Sequence, residues 1–323
     1  MFKQKIWSIV LVILVVISGI GVSIWAVNRN TKSEVKDSSK IQVVTSFYPL
    51  YNFAKEVGGD KIQVSNITPS GGDAHDFEPT ILDNQKVLES DLFIFQGKNF
   101  DTWAEKLAKQ KTSGKNLEMA SNFDLKKAEE HAEEENHSEE KASGKDHSEL
   151  DPHIWLDPVL AQKQIEIIRD KLIETDSKNK DFYNKNAQGY IEKLKNLDQK
   201  FSSSLRSCKK SEIVVSHNAF SYLADRYNFK IEAISGLEPS QEPTQKEIEN
   251  IVEIIKKDGL KFVFYEEQLN PELAKTVANE SGAKIKILRS IESLTKEEEK
   301  NGDSYITIME KNLESLKQGL ECQ

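Results

Sequence analysis

From Asp176 to Arg206 the chain contains no proline and a single glycine, Gly189. Within that stretch Tyr183, Ala187, Tyr190, Leu194, Leu197, Phe201 and Leu205 recur at intervals of 4, 3, 4, 3, 4 and 4. Such spacing places every apolar side chain on one stripe of a continuous helix. A helix of that length with a single apolar stripe acts as a strut between two bodies and limits how far they can swing. The fold therefore has to be built around residues 176–206 as a linking helix, with one lobe before it and one after.

The flanking sequence supplies those lobes. Before the strut, β-branched or apolar runs at Ile41–Ser46, Ile62–Thr68, Asp91–Gln96 and Lys115–Ala120 alternate with amphipathic stretches at Pro49–Val57, Thr80–Glu89 and Asn99–Gln110. A further helix is expected from Val159 to Glu174. After the strut the same alternation returns. Strands are expected at Ile213–Ser216, Phe229–Ile234, Lys261–Tyr265 and Lys284–Leu288, and helices at Ala219–Tyr227, Thr244–Lys257, Pro271–Ser281 and Asp303–Leu320. Strands separated by helices predict an α/β fold with a parallel sheet flanked by helices in each lobe. The lobes are assigned to residues 41–175 and 207–323.

Two segments are of different material. Lys3 and Lys5 precede an uncharged, almost wholly apolar run from Ile6 to Val27. At about 1.5 Å per residue it is long enough to cross a hydrocarbon core of about 30 Å. Residues 1–29 are thus expected to be a transmembrane anchor, or alternatively a cleaved export signal, and 30–40 a polar tether. Either way the body works on the exported face of the cell membrane, or is secreted if the signal is cleaved. Residues 128–150 carry nine carboxylates against Lys141 and Lys145, which accounts for −7 of the chain's net −9. This segment has no apolar period and is expected to be a disordered acidic loop. The rest is close to neutral and has no basic run with interleaved aromatics, which argues against nucleic acid as a partner. The only cysteines, Cys208 and Cys322, form an even count in an exported chain and are expected to pair, two buried free thiols being the alternative.

The chain has six histidines. His131, His137 and His147 lie in the acidic loop. The other three each follow an extended run: His75 in "GGDAHDFEPT", His153 in "DPHIWLDP" and His217 directly after "EIVVS". The carboxyl ends of strands in open parallel sheets face the binding crevice, so these three are expected to point into the gap between the lobes. Three neutral imidazoles and one carboxylate suit tetrahedral zinc. By position the carboxylate could be Glu292, Glu266 or Glu267, and Asp73, Asp76 or Glu78 could orient His75 through its second nitrogen. H-E-x-x-H, G-x-S-x-G, Walker and G-x-G-x-x-G motifs are absent, which speaks against the common hydrolase and nucleotide-binding chemistries.

Six separated motifs, "GGDAHDFEPT", "DLFIFQGKNFDTW", "DPHIWLDP", "VVSHNAFSYLADRYNF", "ISGLEPSQEPT" and "DSYITIMEKNLESLK", occur in the order found in the zinc-uptake solute-binding proteins of ABC transporters, bacterial solute-binding protein family 9. From Ile41 to Leu320 the chain resembles that family. The resemblance implies two α/β lobes on a rigid backbone helix, with metal held in the cleft by His75, His153, His217 and Glu292. Manganese members carry glutamate at the position of His217 and aspartate at that of Glu292, so the resemblance favours zinc over manganese or iron. An acidic, histidine-bearing loop before the second ligand is likewise typical of zinc members. Relatives from single-membrane bacteria usually carry a lipobox cysteine, which this sequence lacks.

The function so implied is a non-catalytic, monomeric receptor that captures Zn²⁺ and passes it to a membrane permease driven by a separate ATPase. A zinc-dependent hydrolase and a surface adhesin with a structural metal are the readings from other classes. Deleting residues 128–150 is expected to leave tight zinc binding intact and to remove only weak additional capture by His131, His137, His147 and the carboxylates. Equilibrium dialysis of the truncated protein reads this directly.

Overall fold

The computed structural model describes residues 39–98, 100–127, 150–267 and 269–323. Residues Lys40–Gln323 form one unit built on two four-stranded parallel sheets. The first contains β1 (Ile41–Thr45), β2 (Ile62–Asn66), β3 (Leu92–Phe95) and β4 (Lys115–Glu118) in the order β2-β1-β3-β4. The second contains β5 (Glu212–His217), β6 (Lys230–Ser235), β7 (Phe262–Tyr265) and β8 (Lys284–Ile287) in the order β6-β5-β7-β8. Every strand pair is parallel, with Val43 opposite both Val64 and Leu92, and Val215 opposite both Ala233 and Phe264. Strand β3, with sequence LFIF, is buried on both faces, as a strand sandwiched between helix layers must be. In each sheet the chain turns to opposite sides after its first strand, and the loops there open a crevice at the carboxyl ends.

Helices α1 (Tyr48–Gly58), α2 (Ile81–Glu89), α3 (Thr102–Gln110) and α4 (Pro158–Thr175) belong to the first half of the chain. After α5 (Lys180–Ser204) come α6 (Ser221–Tyr227), α7 (Gln245–Asp258), α8 (Glu272–Ser281), α9 (Lys296–Asn301) and α10 (Tyr305–Gly319). Helix α9 was not expected from periodicity because it is too short to show one. Its signal is local: the Thr295 side chain accepts from Glu298 N–H while the Glu298 carboxylate accepts from Thr295 N–H, a capping box.

Helix α5 starts at Lys180, because residues Ser177–Asn179 form a 3₁₀ turn. Its stripe of Tyr183, Ala187, Tyr190, Leu194, Leu197 and Phe201 is fully buried. Toward its start, Asn186 Nδ2 donates to Val57 O (3.1 Å) and Tyr190 Oη to Asn52 Oδ1 (2.8 Å), both on α1. Toward its end, Phe201 stacks on Tyr227 at 5.1 Å, Tyr227 Oη donates to Asp198 (2.9 Å) and Lys200 pairs with Glu310. One apolar core runs without a break from Val43 through this stripe to Leu320. Removing a single buried leucine from such a stripe costs about 2–5 kcal/mol.

The lobes also touch directly. Trp155 Nε1 donates to Ser290 O (2.7 Å), Tyr305 Oη to Trp155 O (2.5 Å) and Tyr222 Oη to Asp151 O (2.9 Å). Among the described residues no helix is long and apolar enough to cross a membrane. The segment 1–29, expected as the anchor, lies outside the described residues, as do His131, His137 and His147 of the acidic loop.

Cys208 and Cys322 are joined by a disulfide across 114 residues, beside the backbone bond from Lys210 N to Leu320 O (2.9 Å). The bridge ties the end of α10 to the entry of β5. On the chain-entropy account a loop of this size contributes on the order of 4–5 kcal/mol before any native strain is subtracted. Thiol titration of the unfolded, unreduced protein should find no free thiol. Reduction should lower the denaturation midpoint of the body, while two free thiols per chain would remove the bridge from the account.

Candidate metal centre

Each of four side chains reaches the crevice from the carboxyl end of a strand or from the loop beyond it. His75 lies in the loop after β2, where the Asp73 carboxylate accepts the His75 backbone N–H (2.9 Å). His153 repeats that device: Asp151 Oδ1 accepts the His153 backbone N–H (2.9 Å) in the turn before α4. Asp157 then caps α4 by accepting from Val159 N–H (2.7 Å), with Pro158 at the first helical position. His217 is the last residue of β5. Glu292 follows β8, and its carbonyl accepts from Tyr48 N–H at the start of α1 (3.2 Å). Beside it the buried Ile291 has φ 64°, a left-handed conformation that β-branched residues rarely adopt.

The three imidazoles converge on a single oxygen. Glu292 Oε1 lies 3.5 Å from His75 Nε2, 3.8 Å from His153 Nε2 and 3.7 Å from His217 Nε2. One donor atom from each of the four residues lies within 4.8 Å of every other. A tetrahedral zinc with bonds of about 2.0–2.2 Å separates its donors by about 3.3–3.6 Å; the Glu292 oxygen is already near that distance from each nitrogen, and donor pairs as far apart as 4.8 Å would have to draw together by about an ångström. The four atoms are buried and have no hydrogen-bond partner among the described residues. Buried polar groups are rarely left so, and four orphans aimed at one point fit a cation.

A carboxylate faces the other nitrogen of each ring. Asp151 Oδ1 is 2.8 Å from His153 Nδ1, Glu266 Oε1 is 2.5 Å from His217 Nδ1, and Glu238 Oε2 is 3.1 Å from His75 Nδ1. The last two are close charge contacts rather than well-aligned hydrogen bonds. An acceptor on Nδ1 keeps the proton there and leaves the Nε2 lone pair free for a metal.

Electrostatics follow from this crowding. Burial works against a charged His75, but Glu292 and Glu238 outweigh it and raise its pKa well above the usual range. For His217 burial is again opposed, here by Glu266 and Glu292, and the pKa is raised. Burial prevails at His153, whose pKa is lowered despite Asp151. Glu292 is also buried, yet His75, His217 and His153 hold its pKa down at about 2. These directions favour an ionised Glu292 beside protonated His75 and His217, with His153 favoured neutral.

The structure brings together His75, His153, His217 and Glu292, and separates the other carboxylate candidates. Glu266 sits behind His217, on its Nδ1 side, and Glu267 is 3.6 Å from Arg289 Nη1. Asp73, Asp76 and Glu78 do not orient the His75 ring; that contact comes from Glu238 in the other lobe, while Asp73 holds only the backbone. Sequence reasoning missed Asp151, Glu238 and Glu266 in these roles. The D-x-H pattern at both Asp73–His75 and Asp151–His153 was a usable signal for Asp151. Glu238 lies in the motif "ISGLEPSQEPT", but nothing in that motif ties it to the ring it faces, which is distant in sequence.

Known proteins resemble this chain over most of its length. The high-affinity zinc uptake system protein ZnuA of Bacillus subtilis is 37% identical over 296 residues, covering 91% of this chain and 92% of the relative. The zinc-binding lipoprotein AdcA of Streptococcus pneumoniae is 38% identical over 288 residues, and there this chain spans only 56% of the relative's length. Among solved structures, the Zn(II)-bound ZnuA-like domain of S. pneumoniae AdcA superposes with a TM-score of 0.73 at 36% identity, covering 87% of this chain and 99% of that domain. The laminin-binding protein Lmb of Streptococcus agalactiae, a bifunctional protein with adhesin and metal transporting activity, gives 0.76 at 32% identity over the same shares. Residues 43–319 match the family described as zinc-uptake complex component A, periplasmic, and the chain belongs to that family.

Proposed function

We propose that this chain is the extracytoplasmic zinc receptor of an ABC uptake transporter, capturing Zn²⁺ in the cleft between its lobes and delivering it to a membrane permease. The observation that carries the reading is the convergence of three imidazole Nε2 atoms on Glu292 Oε1, each ring backed by a carboxylate. Three nitrogens and one oxygen favour zinc over manganese, which prefers more oxygen donors. Four protein donors also close a tetrahedral sphere, whereas catalytic zinc keeps a position for water. His75, His153, His217 and Glu292 are the proposed ligands, and the apolar segment 6–27 is the proposed anchor or export signal of a monomeric body. A second reading, adhesion to host matrix, is favoured by the likeness to Lmb; laminin binding that survives removal of zinc would support it.

The ligand assignment is tested by substitution. Changing an outer contact of a metal site typically costs 10–100-fold, so His217→Ala, which removes a donor, should weaken zinc by well over about 100-fold. His131→Ala should leave tight binding unchanged. Equal effects in competition titrations against a chelator would sink the assignment.

Proton exchange provides the second test. Zinc needs neutral imidazoles, yet the pKa values of His75 and His217 are raised in the metal-free body, so binding must expel protons. Glu292 is already ionised and contributes none. Affinity should therefore rise with pH through and beyond the ordinary histidine range near about 6.5. It should fall as acid refills the cluster. Calorimetric binding heats measured at neutral pH in phosphate and in Tris should differ by at least one proton's worth of buffer ionisation. Identical heats would contradict the proton-filled cluster.

A further inference from the structure

The three histidines are not held in the same way. His153 and His217 take their Nδ1 partners from within their own lobes, and those partners, Asp151 and Glu266, are buried. His75 takes its partner from the opposite lobe. The Glu238 side chain is 41% exposed and sits on the segment between β6 and α7. That segment is well fixed: Asn218 N donates to Gly236 O (2.9 Å), and Gln241 N to Glu238 O (3.1 Å). The Gln241 side chain lies against Gly236, where a Cβ would collide with it.

The loop bearing His75 depends on the same lobe in two further places. Gly71 N donates to Leu294 O (2.7 Å), and Ser293 Oγ to Gly72 O (2.7 Å). Residues Ile67 to Thr80 contain no helix or strand, so the ring is fixed by these contacts, the Asp73 turn and edge-on packing against Phe100 at 4.5 Å. Within ion-pair distance of His75 Nδ1, Glu238 is the only carboxylate among the described residues. The other two rings are carried by a strand end and a helix-capping turn, so His75 is the ligand whose support is most easily undone.

We infer that Glu238 is a positioning residue that latches the His75 loop from across the cleft and thereby sets the rate at which zinc is released. The inference rests on the zinc-receptor reading. Zinc leaves by rotation of His75 away from Glu238, while His153, His217 and Glu292 keep their places on the rigid frame. A carboxylate at the mouth of the cleft is also the contact a partner could break without opening the lobes.

The test uses the zinc-loaded protein with Glu238→Ala, Glu238→Gln and, as a control on the same segment, Glu242→Ala. Zinc release into excess chelator is followed by stopped flow, and hydrogen exchange of residues 70–76 is compared in the metal-free proteins. Glu238→Ala should release zinc about 10–100-fold faster, in the range typical of lost outer-shell support. It should also speed exchange in the His75 loop, with the thermal midpoint of the metal-free body unchanged. Glu238→Gln, which keeps the side chain's shape and loses its charge, should release zinc nearly as fast as Glu238→Ala, and Glu242→Ala should match the parent. Parent-like release and exchange in Glu238→Ala would overturn the latch, as would parent-like release in Glu238→Gln. If the parent itself binds no zinc, the receptor reading fails, and the exchange comparison alone still decides whether Glu238 holds the loop.

Discussion

The molecule depends on one packing constraint: the apolar stripe of α5 is shared by two lobes. Tyr190 and Asn186 fasten it to α1, Phe201 and Asp198 to α6, and the core continues through it. A receptor built on a flexible hinge closes by rotating its lobes. Here such a rotation would break a buried core and expose aromatic side chains, at a cost far above the free energy a single ligand contact supplies. Motion is therefore pushed into the loops at the strand ends, where all the polar chemistry sits.

Those loops solve an electrostatic problem. A carboxylate buried as deeply as Glu292 is tolerable only beside compensating positive charge. Protons on the rings can supply it in one state and a divalent cation in the other, so the site exchanges one kind of charge for another without unpacking. The carboxylates behind the rings, Asp151, Glu238 and Glu266, make the protonated state tenable and orient the lone pairs for the metal.

Most of the frame was legible in the sequence because it rests on periodicity. The stripe from Tyr183 to Phe201 and the eight strand runs are local patterns and lie close to where those patterns put them, and His217 ends its strand, while His75 and His153 stand on loops that bring them to the same point. What was not legible is pairing between distant segments. Position alone left Glu266, Glu267 and Glu292 equivalent, since each follows a strand of the second sheet; only folding turns Glu266 to the back of His217 and Glu267 toward Arg289. Glu238 stands in one of the six motifs, yet its role was not legible there because its partner is in the other lobe. Helix α9 escaped because six residues are too few for a period, although its capping box was in plain view.

The left-handed backbone at Ile291 has a further implication. A glycine there would relax the main chain, and strain of this kind typically amounts to about 1–3 kcal/mol. The same change would remove a fully buried side chain and free the peptide that aims Glu292. Losing a buried isoleucine costs about 2–5 kcal/mol, more than the strain returns. The strained residue is therefore kept by the core as well as by the site, and stability and a sharply defined donor pull the same way at this position.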